Sequence, residues 1–317
     1  MPLNYDDLAT TTFNNYRKSF SDNVTEEIIL VKMLKKFGGI ERKSGGIKIV
    51  EPLMYGLNNT FKSYSGYDLL DVTPQQGLTK AEYDWKNVAV SVTISDEELD
   101  QNKGEAKFLD LLKSKIKQAE MTHKMKFNEM LYGDGTGNAG KDFAGLASYV
   151  TGVDTGTIGG IDSANYAWWR NNHDTIPNFA TDGLGKMRTM FNNCTVDGDA
   201  PNFILCDQTT YEQYEAMMPP LERIAFKEGG MSGDLGFEHL RFKGKPLAWD
   251  SQAPAKTMRF LNLKYLKLIF DSNKEFTMTD WRRPYNQMAK SCFIIARGNM
   301  VINNRKRQGY LSITAYE

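Results

Sequence analysis

The chain has 317 residues, 41% hydrophobic and 25% charged, which suffices for one or two folded cores and excludes a disordered polyelectrolyte. Lysine plus arginine equals aspartate plus glutamate, 39 each, so the net charge is zero; this argues against a protein that neutralises phosphate backbones and lowers repulsion between copies. The N-terminus carries no basic or apolar stretch and no run of about 18 apolar residues occurs, so neither a signal peptide nor a membrane span is expected, and Cys194, Cys206 and Cys292 are expected to be reduced thiols.

Residues 1–21 are polar, rich in Thr, Asn and Asp, and read as an extended or flexible arm. Val24 to Phe37 predicts a short helix with Val24, Ile28, Val31 and Leu34 on one face, acidic residues near its start, Lys35 and Lys36 near its end, and Gly38-Gly39 as its stop. From Gly45 to Thr93 the pattern changes. Ile47, Ile49 and Val50 open a strand, and Trp85 to Ile94 alternates cleanly, with Val88, Val90, Val92 and Ile94 on one face. Between them runs a long polar stretch bearing Tyr55, Phe61, Tyr64 and Tyr67. Two strands so connected predict an extended hairpin, and a connection of this length marks a functional loop or arm. Aromatic side chains there have no core of their own, and interface hot spots favour such residues. Tyr55, Phe61, Tyr64, Tyr67 and Trp85 are therefore the candidate partner contacts.

Ser95 to Glu98 forms a capping box, which accounts for the cluster Asp96, Glu97, Glu98 and Asp100 as a helix start rather than an acid–base or metal site. The longest helix is predicted over Glu105 to Tyr132, with Leu109, Leu112, Ile116, Ala119, Phe127, Met130 and Leu131 as its stripe and a length of roughly 40 Å. Gly133 to Gly160 is glycine-rich. Gly135 to Gly140 fits G-x-G-x-x-G, but it follows a helix instead of a strand and opens no helix, so it reads as a loop and not a dinucleotide site.

Helices are expected at Thr181–Asn193, capped by Thr181 or Asp182, and at Thr209–Met218; Asn202–Cys206 reads as a buried strand. His239–Trp249 resembles a hairpin turning near Gly244. Met258–Phe270 alternates for part of its length, and Ser291–Ala296, Met300–Asn303 and Leu311–Ala315 are strand-like. The order is α+β. His123, His173 and His239 lack metal-ligand spacing, and no nucleophile elbow, zinc-helix motif or phosphate loop occurs, so no metal, no cofactor and no enzymatic activity are expected. The basic clusters Arg282-Arg283 and Arg305-Lys306-Arg307 are expected to pair with acidic groups on a neighbouring subunit, because the whole chain is neutral.

The order of these parts resembles the major capsid proteins of tailed bacteriophages, with the fold typified by phage Hong Kong 97. The resemblance rests on GGIKIVEPLMYG, on TKAEYDWKNVAVSVTISDEELDQNKG running into the long helix, on KFNEMLYGDGTG and YAWWRNN, and on PNFILCDQTTYEQYE, RFLNLKYLKLIF and the closing run with Arg305-Lys306-Arg307. It implies an N-terminal arm and short helix over residues 1–44 and an E-loop hairpin over 45–95 that reaches over the adjacent subunit. It further implies a peripheral domain with the spine helix and glycine-rich loop over 96–180, an axial domain over 181–268, and C-terminal strands over 269–317 returning to the peripheral domain. It implies a virion protein, made in the host cytoplasm, that self-assembles into hexamers and pentamers of an icosahedral head around double-stranded DNA, with no sequence-specific contact and no membrane. A separate scaffolding protein is implied, or else a chain already processed at its N-terminus; a portal and decoration proteins are the other implied partners, and no cross-linking through Lys62, Lys80 or Lys86 is expected. An encapsulin-type nanocompartment shell is the alternative with the same fold.

Overall fold

A computed structural model describes residues 28–101, 105–218 and 240–316; the arm expected over residues 1–21 lies outside these. Helix α1, Ile29–Lys36, buries Leu30, Val31, Met33 and Leu34. It ends in a Schellman motif: Gly39 N–H donates to Leu34 O at 2.7 Å and Gly38 N–H to Lys35 O at 3.3 Å, with Gly38 at φ +71°. Strand β1 is Ile40–Lys43 and β2 is Lys48–Met54, which turns Ile49, Glu51 and Leu53 inward. Strand β3, Leu78–Asp84, pairs antiparallel with β2 from Lys48↔Asp84 to Met54↔Leu78.

This pairing revises the expected hairpin. Its return strand is β3, whereas the strongly alternating run is β4, Lys86–Ser95, which leaves the hairpin and pairs with β14, Ala289–Ile302. Alternation signals a half-buried strand without naming its partner. Only Ala81 and Tyr83 of β3 are buried, too sparse a pattern to stand out beside β4.

Ser95 N–H donates to Glu98 Oε2 and Glu98 N–H to Ser95 Oγ, both at 3.1 Å, closing the capping box of α2, Asp96–Gln101. Helix α3 spans Glu105–Tyr132 and buries Leu112, Ile116, Ala119, His123, Phe127 and Leu131. A small tongue follows, β5 (Thr157–Ile158) against β6 (Ile161–Asp162), then β7, Asn172–Asn178. Helix α4, Phe179–Asn193, starts two residues before the expected cap because Asn178 Oδ1 accepts Ala180 N–H at 2.9 Å.

Strand β8, Phe203–Cys206, leads to α5, Gln208–Met217. A hairpin of β9, Leu240–Phe242, and β10, Lys245–Trp249, turns on Lys243 (φ +48°) and Gly244 (φ +75°). The run Met258–Phe270 divides into β11, Thr257–Leu261, and β12, Leu266–Asp271, in different sheets. Strands β13, Thr277–Met278, and β15, Gly309–Ala315, complete the set.

One sheet holds β1, β12, β14 and β13, with β4 on the far side of β14; the other has the order β7-β15-β11-β8-β10-β9. The C-terminal segment thus splits between them. Strand β14 lies in the first sheet beside α3, but β15 sits between β7 and β11, where Leu311 and Ile313 pack with Ile176, Met258 and Phe260. Strand β8 is buried on both faces, Phe203 and Leu205 toward the body of α1 and α3, Ile204 and Cys206 toward α4, which explains its unbroken apolar sequence. The three cysteines are free and buried, and burial pushes the Cys194 and Cys292 thiols up to about 12.

Candidate functional site

The segment joining β2 to β3, residues 55–77, projects without a core. Phe61 is 94%, Tyr67 105%, Leu69 89% and Val72 90% exposed, and Leu57, Tyr64 and Leu70 are exposed too. Short-range polar bonds shape it. Asn58 Oδ1 accepts Thr60 N–H at 2.9 Å, Asp68 Oδ2 accepts Ser65 N–H at 2.9 Å, Asp71 Oδ1 accepts Thr73 N–H at 2.9 Å, and Lys62 Nζ donates to Leu69 O. The Thr73 hydroxyl and amide also hold Asp71 below the usual carboxylate range. The loop therefore carries an unusually large exposed apolar surface for a folded chain.

The expected contact residues divide. Phe61, Tyr64 and Tyr67 are open on the loop. Tyr55, at its root, stacks on Trp168 of its own chain, ring centroids 5.1 Å apart and planes at 21°. Trp85 is not on the loop: it sits half-buried at the joint of β3 and β4, with the Arg297 guanidinium 5.0 Å above its ring. The aliphatic residues Leu57, Leu69, Leu70 and Val72 escaped the aromatic-centred reading; the signal available was apolar side chains in a stretch with no strand or helix period.

The basic clusters divide as well. Arg282 and Arg283 are exposed between β13 and β14, where Arg283 reaches Asp96 of its own chain at 2.7 Å. Beside them Tyr285 is 101% exposed and Met288 and Phe293 are also open, a second apolar surface that sequence reasoning missed. Lys306 is exposed, and Arg307 donates to Val196 O at 2.6 Å and Asp199 O at 3.1 Å.

Arg305 corrects the expectation of a subunit contact. It is 1% exposed and donates to Tyr149 O (2.8 Å), Ser163 Oγ (2.6 Å), Trp169 O (2.8 Å) and Asn171 Oδ1 (2.9 Å). Burial lowers its pKa to about 10, so it remains charged at neutral pH, solvated by carbonyls and hydroxyls.

A groove of about 920 Å³ opens between the hairpin root and the tongue, walled by Tyr83, Tyr166 and Trp168. Most of its charges are engaged: Glu82 takes Lys48 at 3.4 Å and Lys80 at 2.7 Å, and Lys86 Nζ donates to Gly140 O. Asn138 and Ala139 of the glycine motif have φ of +50° and +58°, so the motif does not continue into a regular helix. Among the described residues no group of three or more His, Cys, Asp or Glu side chains could hold a metal, and no helix is long and apolar enough to cross a membrane.

No protein-family model and no curated protein sequence matches this chain. Solved structures do. The capsid of cyanophage A-1(L) matches at TM-score 0.66 and 16% identity over 86% of this chain and 88% of the other. The capsid of a native GTA particle matches at TM-score 0.56 and 10% identity, covering 89% and 90%. The SrpI encapsulin complex from Synechococcus elongatus matches at TM-score 0.52 and 12% identity, covering 86% and 84%. The α+β architecture of this chain, with its projecting hairpin, long helix and two large sheets, is the Hong Kong 97-type capsid fold.

Proposed function

We propose that the chain is the major capsid protein of a tailed, double-stranded DNA phage. The observation that carries this reading is the projecting loop 55–77, which exposes Phe61, Tyr67, Leu69 and Val72 on a capsid fold. The E-loop is this segment with its root strands β2 and β3. The peripheral domain is the body of α3 and the five-stranded sheet, and the axial domain is the six-stranded sheet with α4 and α5.

The mechanism is assembly and not catalysis. The loop of one copy meets a different surface on the next, a heterologous contact that closes into hexamers and pentamers when the rotation is right. Buried aromatic and aliphatic anchors supply most of the energy of each contact. Many weak contacts act together once the icosahedral shell closes. Neutral overall charge limits repulsion between subunits and fits a shell that encloses DNA without reading it. A separate scaffolding protein, a portal and decoration proteins are its proposed partners, and the virion head is its proposed location.

The encapsulin match favours one second reading, a shell around protein cargo. The test is to purify particles from infected or expressing cells and treat them with nuclease. Protected double-stranded DNA supports the phage reading. Particles that hold a co-purifying protein and no nucleic acid support the encapsulin reading. A chain that stays monomeric or dimeric, with or without its neighbouring gene products, overturns both.

A further inference from the structure

The root of the exposed loop is held from two sides. On one side Glu51, 3% exposed on β2, accepts from Lys43 Nζ and from Lys267 Nζ at 3.4 Å, and Lys267 also reaches Glu41 at 2.7 Å. These pairs tie the ribbon to β1 and β12. On the other side the tongue grips it. Gly159 O accepts Glu82 N–H at 2.9 Å, and Gly159 lies so close that a Cβ there would sit 2.7 Å from Ala81 Cβ. Trp168 stacks on Tyr55 and is itself backed by Trp169, ring centroids 5.6 Å apart. Trp169 is 1% exposed and donates its indole N–H to Ile158 O at 3.0 Å.

Just past Tyr55 the two chains of the ribbon come together at glycines. Tyr55 N–H donates to Gly77 O at 2.9 Å, and a Cβ on Gly77 would lie 2.7 Å from Gly56 O. The bonds described above for Asn58, Asp68, Asp71 and Lys62 all stay within the loop.

We infer that Trp168 is the positioning residue of this loop: its ring, stacked on Tyr55, sets the angle at which the β2–β3 ribbon leaves the body, and residues 57–76 move as a unit only beyond the Gly56–Gly77 pair. An anchored root narrows the directions the loop samples before it meets a partner, which lowers the ordering penalty of that contact. For a shell subunit the departure angle also fixes the spacing between copies. That last consequence rests on the capsid reading; the latch itself does not.

The test compares the full chain with Trp168→Ala, Trp168→Phe, Tyr55→Ala and the double variant Tyr55→Ala/Trp168→Ala. Hydrogen exchange is read in peptides spanning residues 53–56 and 79–84, and particle diameter by electron microscopy. Loss of one stacked pair is expected to speed exchange there by roughly two- to tenfold in Trp168→Ala. Trp168→Phe should stay within about twofold of the parent, and the double variant should exchange no faster than the more affected single variant, because both remove one contact. Particles of Trp168→Ala should spread in diameter. Unchanged exchange in a folded Trp168→Ala overturns the inference, and so does a Trp168→Phe variant as loose as the alanine one. If Trp168→Ala does not fold, Tyr55→Ala decides alone, since Tyr55 is 43% exposed and lies outside the core. Failure of the parent chain to form particles counts against the capsid reading, while the exchange data still decide the latch.

Discussion

Replacing Arg305 by Met keeps most of the side chain's volume and removes its charge and donors. Four acceptors, Tyr149 O, Ser163 Oγ, Trp169 O and Asn171 Oδ1, lie within 2.6–2.9 Å of the guanidinium and lose it together. Hydrogen bonds to a charged group contribute about 1.5–3 kcal/mol each, so the gross loss is on the order of 6–12 kcal/mol. Several kcal/mol return because the buried charge no longer has to be desolvated, which leaves a net destabilisation of about 3–5 kcal/mol. At an unfolding entropy of about 0.7 kcal/mol/K for a chain of this length, Tm should fall by roughly 4–7 °C. Arg305→Lys, which keeps the charge but reaches only one or two acceptors, should lose about half as much. The assay is thermal and urea unfolding of the unassembled subunit followed by circular dichroism. An Arg305→Met variant within about 0.5 kcal/mol of the parent, the ordinary range for a surface substitution, would refute the assignment of Arg305 as an internal pin.

Three further outcomes are expected. Phe61→Ala and Tyr67→Ala should leave subunit unfolding within about 0.5 kcal/mol of the parent, since both rings are solvent-exposed, yet raise the concentration needed for assembly at least about tenfold, read by light scattering. Burial lowers the His123 pKa to about 4, so the folded chain holds it neutral while the unfolded chain protonates it below about 6.5; stability should drop by about 3 kcal/mol as pH falls from 6.5 to 4, and His123→Phe should remove most of that drop. Burial works against the Lys267 charge, but Glu41 and Glu51 outweigh it and raise its pKa, so the stability from this network is complete below the ordinary lysine value of 10.5 and is lost as pH climbs through the raised value; Glu51→Gln should shrink that alkaline transition in pH-dependent unfolding, with Glu41 retaining part of it, and speed exchange in β2.

Much of the fold was legible because local signals and tertiary partners agree. The span of α3 follows from its apolar stripe and from Gly133, the capping box at Ser95 and Glu98 forms as its spacing requires, and β8 reads as buried because both of its faces are. The illegible parts depend on who pairs with whom. The alternation of β4 carried no information that its partner is β14 and not β2, and β15 gave no sign that it would leave its sequence neighbour β14 for the other sheet. The loop could be found from its length and aromatics, since nothing in the sequence offered them a core. Arg305 could not be placed: between Asn304 and Lys306 it looks like one of three surface cations, and only the convergence of Tyr149, Ser163, Trp169 and Asn171 from distant segments makes it a core residue. The stacking of Tyr55 on Trp168 was illegible for a related reason, because Trp168 lies far along the chain and no periodicity connects the two rings.

Cryo-electron microscopy of particles assembled from the purified chain, with its scaffolding partner supplied where needed, addresses the proposed assembly most directly. Closed shells of five- and six-membered rings, with density for Phe61, Tyr67, Leu69 and Val72 of each copy buried against the next, are the expected result. A chain that remains a monomer or dimer under every condition, or shells in which residues 57–76 of every copy stand free in solvent, would contradict it.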